Sequence, residues 1–305
     1  MAALTGMYGG WLPTVYFFWK DRSWRLYWGL LMGLGILSWL TTYQLWPQRE
    51  DLISESSALR IGTWNLDASD YNRKQIEKDL AFLAQADADI VCLQEVYLGD
   101  YSPECFAERA GYPYILFGKA GPAMGMAILS RYPVVLHEHP LLLRGSTNGV
   151  LMGEVILSGG DTILVVNVHY PSYRLGRSRS WKYAHWHAVW DAQRGIDTVL
   201  DVVRRLWSGP LWICGDFNSI PLSYAAARWW RSALIDSYFW TEWLRGPTWR
   251  PIPLRIDYIW GPTPARSQKT YWAEPHHHAY VLAKYGDQEV AATLRKTPTF
   301  ATLGR

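Results

Sequence analysis

Leu211-Trp212-Ile213-Cys214-Gly215-Asp216-Phe217-Asn218-Ser219 is the stretch on which the reading of this chain turns. Its first four residues are apolar and read as a buried strand. A glycine, an aspartate and an asparagine follow where that strand must end. Strand ends in α/β proteins are where ligands sit. Asp216 and Asn218 are two residues apart, so on an extended chain they point the same way. A carboxylate and an amide aimed together suit a water, a metal ion or a phosphate oxygen. An Asx-type turn closing the strand fits the same nine residues. The choice rests on whether other strands bring partners.

Working outward, residues 59–66 (LRIGTWNL) read as a strand ending near Asn65. Between 72 and 88, Ile76, Leu80, Leu83 and Ala84 share one helix face. Residues 89–96 (DIVCLQEV) form a strand that is apolar until Gln94-Glu95. Segments 112–117, 123–130, 133–139 and 150–157 continue the β pattern. Residues 161–169 (DTILVVNVH) are an apolar strand closing on Asn167 and His169. A helix is expected over 181–207. The last strands are expected over 254–260 (LRIDYIW) and 280–284, and 286–305 reads as a polar, aperiodic tail. Many strands with helices inserted singly indicate an α/β, four-layer sandwich. Two packed, mainly antiparallel sheets are flanked by helices.

Residues 1–46 differ in kind. Leu26 to Trp46 contains no charged residue, and as a helix it is long enough to cross a hydrocarbon core of about 30 Å. Trp24, Trp28, Trp39, Tyr43 and Trp46 place aromatics towards both ends, as membrane interfaces favour. Residues 1–19 form a poorer second span or an interfacial segment, broken by Gly9, Gly10 and Pro13. Lys20, Arg22 and Arg25 outweigh Asp21, and the positive-inside bias puts that loop in the cytoplasm. One or two spans are therefore expected, with the rest of the chain extracytoplasmic. Residues 47–57 are a polar linker and 58–285 the main domain. The net charge of +3 is too small to argue for nucleic acid alone. The three cysteines have no metal-ligand spacing, and an odd count with Cys92 and Cys214 inside apolar runs argues against a disulfide framework.

The partners of Asp216 are Asn65, Glu95, Asn167, His169 and Asp257, each a polar residue where a core strand stops. The run His276-His277-His278 precedes the last strand. Alone, Glu95 reads as a strand terminator, His169 as a core histidine and Asp257 with Arg255 as a surface pair. Their recurrence weighs against this, because burying several uncompensated polar groups at one end of a core is costly. Glu95 with Asn65 suits a hard divalent cation that keeps water or substrate phosphate as its other ligands. Histidines steady phosphoryl oxygens or move protons. Asp216 can orient and deprotonate an attacking water. This is equipment for metal-assisted phosphoester hydrolysis.

The ordered set Trp64-Asn65-Leu66, Leu93-Gln94-Glu95-Val96, Ala127 to Pro133 (AILSRYP), Asn167-Val168-His169, Gly215-Asp216-Phe217-Asn218 and Arg255 to Ile259 (RIDYI) resembles the endonuclease/exonuclease/phosphatase superfamily. The resemblance covers about residues 58–285 and implies a two-sheet sandwich and a phosphoesterase using Mg²⁺ or Mn²⁺. It implies Glu95 as principal metal ligand with Asn65 beside it, and His169 on a phosphate oxygen. It further implies Asp216 on the attacking water, with Asn218 and Asn167 supporting the site. Asp257 would orient the last histidine, His278. The chain departs from the family at one place. The aspartate that commonly precedes that histidine, and supports the metal, is His277. Three outcomes stay open: one retained metal, a softer ion such as Mn²⁺ or Zn²⁺ through His277, or a catalytically impaired binding or scaffolding protein on the same fold.

Downstream of His169, residues 170–187 carry Arg174, Arg177, Arg179 and Lys182, interleaved with aromatics and without an acid. Arg174 and Arg177 are candidate substrate contacts, for a nucleic-acid backbone or an anionic lipid head group. A solvated loop entering a helix is the alternative. The expected partners are a membrane, through the N-terminal helix, and a phosphate-containing substrate.

Overall fold

The computed structural model describes residues 59–67, 72–121, 124–138, 141–142, 146–172, 183–221, 234–238, 246–250 and 254–296, together with Gly29 and Gly33. The strands are β1 (Leu59–Asn65), β2 (Ile90–Tyr97), β3 (Tyr114–Lys119), β4 (Met124–Ser130), β5 (Val134–Leu136), β6 (Leu141–Leu142) and β7 (Gly149–Ile156). They continue with β8 (Thr162–His169), β9 (Leu211–Asp216), β10 (Ile235–Asp236), β11 (Asp257–Gly261), β12 (Ser267–Tyr271) and β13 (Tyr280–Tyr285). The helices are α1 (Arg73–Gln85), α2 (Pro103–Arg109), α3 (Tyr183–Leu206) and α4 (Asp287–Lys296).

One sheet runs β12-β13-β1-β2-β4-β3 and the other β10-β11-β9-β8-β7-β5, with β6 also on β7. Most pairs are antiparallel; β1–β2 and β8–β9 are parallel. Alternation along each strand sorts its side chains into two cores. Ile61, Cys92, Ile163, Val165, Trp212, Cys214, Ile259, Val281 and Ala283 meet between the sheets. On the outer face of the first sheet, Trp64, Val91, Leu93 and Leu282 pack against Ile76, Leu80 and Leu83 of α1 and Phe106 of α2. On the outer face of the second, Leu164, Val166, Ile213 and Trp260 pack against Ile196, Leu200 and Val203 of α3. Helix, sheet, sheet, helix is the expected four-layer order.

The helix starts follow from local chemistry. Asn72 caps α1, its side-chain oxygen accepting from the Gln75 amide at 3.1 Å. Ser102 caps α2 ahead of Pro103 in the first turn, where proline loses no helical hydrogen bond.

Several expectations are corrected. The segment read as a loose tail from residue 286 contains α4, where Val290 is buried and Leu294 packs on the inter-sheet core. Those two anchors, one helical turn apart, were too sparse to show among polar neighbours. The strand expected over 254–260 begins only at Asp257, which therefore opens β11. Helix α2 and strands β6, β10 and β12 had no expected counterpart. The proposed main span, 26–46, lies outside the described residues apart from Gly29 and Gly33, which are helical. Among the described residues no helix is long and apolar enough to cross a membrane.

Candidate active site

The site forms where the inward-facing rows of both sheets run out of apolar residues. In β8 the inward row is Ile163, Val165, Asn167, His169; in β9 it is Trp212, Cys214, Asp216. Strands β8 and β9 are parallel, with His169 opposite Asp216. Strand β11 is antiparallel to β9, so its first residue, Asp257, lies opposite Asp216. Asn65 ends β1, beside Gln94 of β2.

Glu95 arrives by a different device. Leu93 pairs with Ala127, but Val96 pairs with Gly125, so β2 carries one extra residue there. Leu93 and Val96 both face α1 and α2. The bulge between them turns Glu95 back toward the site, at φ +50°. Asp67 and Asn218 also have positive φ. Backbone strain of this kind gathers at functional sites.

Asp216 is the hub. Its Oδ1 accepts from the Asn218 amide at 2.8 Å. Its Oδ2 accepts from Asn65 Nδ2 at 2.9 Å and from Asn218 Nδ2 at 3.1 Å. Asn65 Nδ2 also reaches Glu95 Oε1 at 3.3 Å. His169 Nε2 faces Glu95 at 3.5 Å and Asp216 at 3.8 Å, while its Nδ1 is held by the Thr147 carbonyl at 3.2 Å. His278 Nδ1 lies 3.2 Å from both Asp257 oxygens, and its Nε2 is 3.9 Å from Asp216 Oδ2. Seven of the expected residues, Asn65, Glu95, His169, Asp216, Asn218, Asp257 and His278, thus converge on one spot.

The electrostatics follow from burial and charge. Burial, then repulsion from Asp257, pushes the Asp216 carboxyl up to about 6, against the opposing pull of His278 and His169. Burial works against a charged His278, but Asp257 and Asp216 outweigh it and raise the imidazole to about 9. The pair therefore holds a carboxylate and an imidazolium together at neutral pH.

Four expected residues stand differently. Asn167 is fully buried. Its amide donates to the Leu93 and Ala127 carbonyls at 2.8 and 2.9 Å and accepts from Gln94 at 2.7 Å. It ties the two sheets together rather than facing substrate. His277 points to the rim, its Nδ1 2.6 Å from Asp67 Oδ2, with its side chain 60% exposed. Arg174 and Arg177 lie outside the described residues.

Residues missed in the sequence frame this constellation. Asp67 was legible as the next residue but one after Asn65. Thr248 was not, since it lies nine residues from Asp257, whose amide its hydroxyl receives at 3.0 Å. Trp64 was quoted only as part of a motif, yet its indole donates to the His278 carbonyl at 3.2 Å.

Two sets of groups fit a cation. Asp216, Asp257 and His278 bring ligand atoms within 4.8 Å of one another. Their atoms, however, hydrogen-bond mainly among themselves, to Asn65 and to Asn218. Glu95 is partly exposed, and its described contacts run through Oε1 alone. Its carboxylate is the oxygen donor that suits a hard divalent ion, while Asn65 beside it turns Nδ2 toward Glu95 and gives Oδ1 to the Asp67 backbone amide at 2.9 Å.

The endonuclease/exonuclease/phosphatase family profile matches residues 62–287, most of the chain and all of the strands named above except the first three residues of β1. The chain belongs to the endonuclease/exonuclease/phosphatase family. Solved structures of the family share its fold. One from Beutenbergia cavernae superposes with a TM-score of 0.58 at 18% identity, covering 75% of this chain and 72% of that one. A humanized D. rerio TDP2 gives 0.57 at 18% identity, covering 76% and 100%. The 3′ phosphatase NExo from Neisseria, solved with a product DNA hairpin, gives 0.54 at 19% identity, covering 75% and 99%. At such identities the likeness concerns the fold alone. No curated protein matches the sequence.

Proposed function

We propose that the chain is a membrane-anchored phosphoesterase, dependent on a divalent metal, that hydrolyses a phosphodiester of nucleic acid or of a phospholipid head group by attack of water. The convergence of Asp216, His278, Asp257, His169, Asn65 and Glu95 on one spot carries this reading. Asp216, fixed by Asn65 and Asn218, orients the water and receives its proton. His278, kept cationic by Asp257, neutralises charge developing on the phosphoryl oxygens, and His169 holds another of those oxygens. Glu95, with Asn65 beside it, would hold Mg²⁺ or Mn²⁺. When bound, the ion supplies Lewis-acid stabilisation of the phosphoryl group. Family membership and the phosphatase among the structural neighbours agree with this chemistry.

Anchoring rests on the uncharged 26–46 segment, and the cytoplasmic bias of Lys20, Arg22 and Arg25 places the catalytic domain outside the cytoplasm. His277 favours a second reading, a binding protein with lost turnover, because an imidazole stands where the family has an aspartate. A hydrolysis panel separates them. DNA, RNA, sphingomyelin, phosphoinositides and a generic phosphodiester are each offered with Mg²⁺, Mn²⁺ or Zn²⁺. Turnover of one class supports the enzyme; binding without turnover under every metal supports the alternative.

A further inference from the structure

His276 faces away from the site, into the packing of α1 on the first sheet. Its side chain is 2% exposed, and Nε2 lies 2.7 Å from Asp79 Oδ1. Gln75 Nε2 is 2.9 Å from the same Asp79 oxygen and 3.2 Å from His276 Nε2. One ring nitrogen cannot donate to Asp79 and accept from Gln75 together. The carboxylate only accepts, so His276 Nε2 carries the hydrogen and two donors converge on Asp79.

The ring also meets Trp64 edge-on, with centroids 4.8 Å apart, and the Trp64 indole donates to the His278 carbonyl. A chain of contacts thus runs from α1 through His276 and Trp64 to the backbone of His278. On the other side, Arg250 donates its amide to the His277 carbonyl at 2.8 Å, and Ala279 donates to Thr248 at 2.8 Å. Backbone bonds hold one flank of the histidine run; the His276 side chain, with the Trp64 indole on the His278 carbonyl, holds the other. An apolar residue would fill this pocket beside Trp64 without desolvating a histidine and an aspartate. A buried His276–Asp79 pair, with the half-buried Gln75 bonded to it, instead specifies one geometry.

We propose that His276, pinned by Asp79 and Gln75, is a positioning residue that sets His278 against Asp257 and Asp216. The proposal rests on the catalytic reading of His278 given above. Misplacing a catalytic group by about 1 Å lowers a rate by roughly 10²-fold.

The test is a double-mutant cycle on the full-length chain with a generic phosphodiester and Mg²⁺. His276→Ala is expected to lower kcat by about 10- to 100-fold with KM within about twofold. In a His278→Ala background it is expected to cause no further loss. Asp79→Ala behaves like His276→Ala, and His276→Gln, which keeps a donor for Asp79, restores part of kcat. Equal fractional losses in both backgrounds, or full kcat in His276→Ala, overturn the proposal while leaving the catalytic reading intact. Full activity in His278→Ala overturns that reading and the proposal with it. Should His276→Ala fail to fold, His276→Gln and Asp79→Asn complete the same cycle with the same outcomes.

Discussion

His278 presents Nδ1 to both oxygens of Asp257 at 3.2 Å while turning Nε2 toward Asp216 at 3.9 Å. The imidazole therefore lies between two carboxylates, one that holds it and one with which it shares the reacting space. Its affinity for a proton rises to about 9 in spite of burial, and that of Asp216 to about 6 because of burial and Asp257.

A bell-shaped rate profile follows. Asp216 accepts the water's proton only when ionised, so kcat rises as pH passes about 6. His278 stabilises phosphoryl charge only when protonated, so kcat falls as pH passes about 9. Stability has a definite sign as well. The His278 contribution is complete below 6.5 and lost as pH rises through about 9. The raised Asp216 likewise favours the folded state below 3.8, an advantage lost as pH rises through about 6. A kcat profile flat across both ranges would contradict the assignment.

Asp257→Asn removes the strongest charge favouring the His278 imidazolium. The alkaline limb of the profile is expected to move to lower pH, and kcat to fall by roughly 10²-fold or more. Measuring the limb in wild type and variant checks this. An unchanged limb would mean that another group sets it.

Gly215 precedes the hub residue and has φ +143°, and a Cβ there would stand 1.9 Å from the Val168 carbonyl oxygen. Only glycine permits this approach of β9 to β8. Gly215→Ala is expected to destabilise the fold by at least about 1–3 kcal/mol, from backbone strain plus the clash. Denaturant titration measures it, and a midpoint within error of wild type would contradict the account.

The unbroken apolar runs of β8, β9 and β13 made most of the fold readable, because a strand buried on both faces is apolar at nearly every position. Asp216, Asn65 and His169 were legible for the same reason: they are the polar residues on which those core strands stop. Glu95 was legible only as a polar residue after Gln94, since the bulge that turns it into the site is a pairing event between β2 and β4. Asn167 stands where the strand pattern puts a site residue but serves the core instead. It shares a face with His169, yet it lies one step deeper, where both amide hydrogens reach backbone carbonyls of the opposite sheet. Helix α4 escaped notice because Val290 and Leu294 are its only strong apolar anchors. The links of His276 to Asp79 and of Thr248 to Asp257 depend on how distant segments pack, which no local pattern encodes.

His277→Asp would place a carboxylate beside Asp67, now 2.6 Å from the imidazole. Two adjacent oxygen donors suit Mg²⁺ better than an imidazole does. The Mg²⁺ concentration for half-maximal activity is expected to fall by roughly tenfold, with wild-type turnover already measurable. Activity that appears only in His277→Asp would support the scaffolding alternative.

The most direct measurement is hydrolysis of one generic phosphodiester by the full-length chain. It is followed with Mg²⁺, after chelation and after Mg²⁺ is restored, in wild type and Asp216→Asn. Turnover by wild type should be lost on chelation and recovered with the metal, and Asp216→Asn should retain no more than about 1% of it. Wild type inactive with Mg²⁺, Mn²⁺ and Zn²⁺, or Asp216→Asn as active as wild type, would contradict the account.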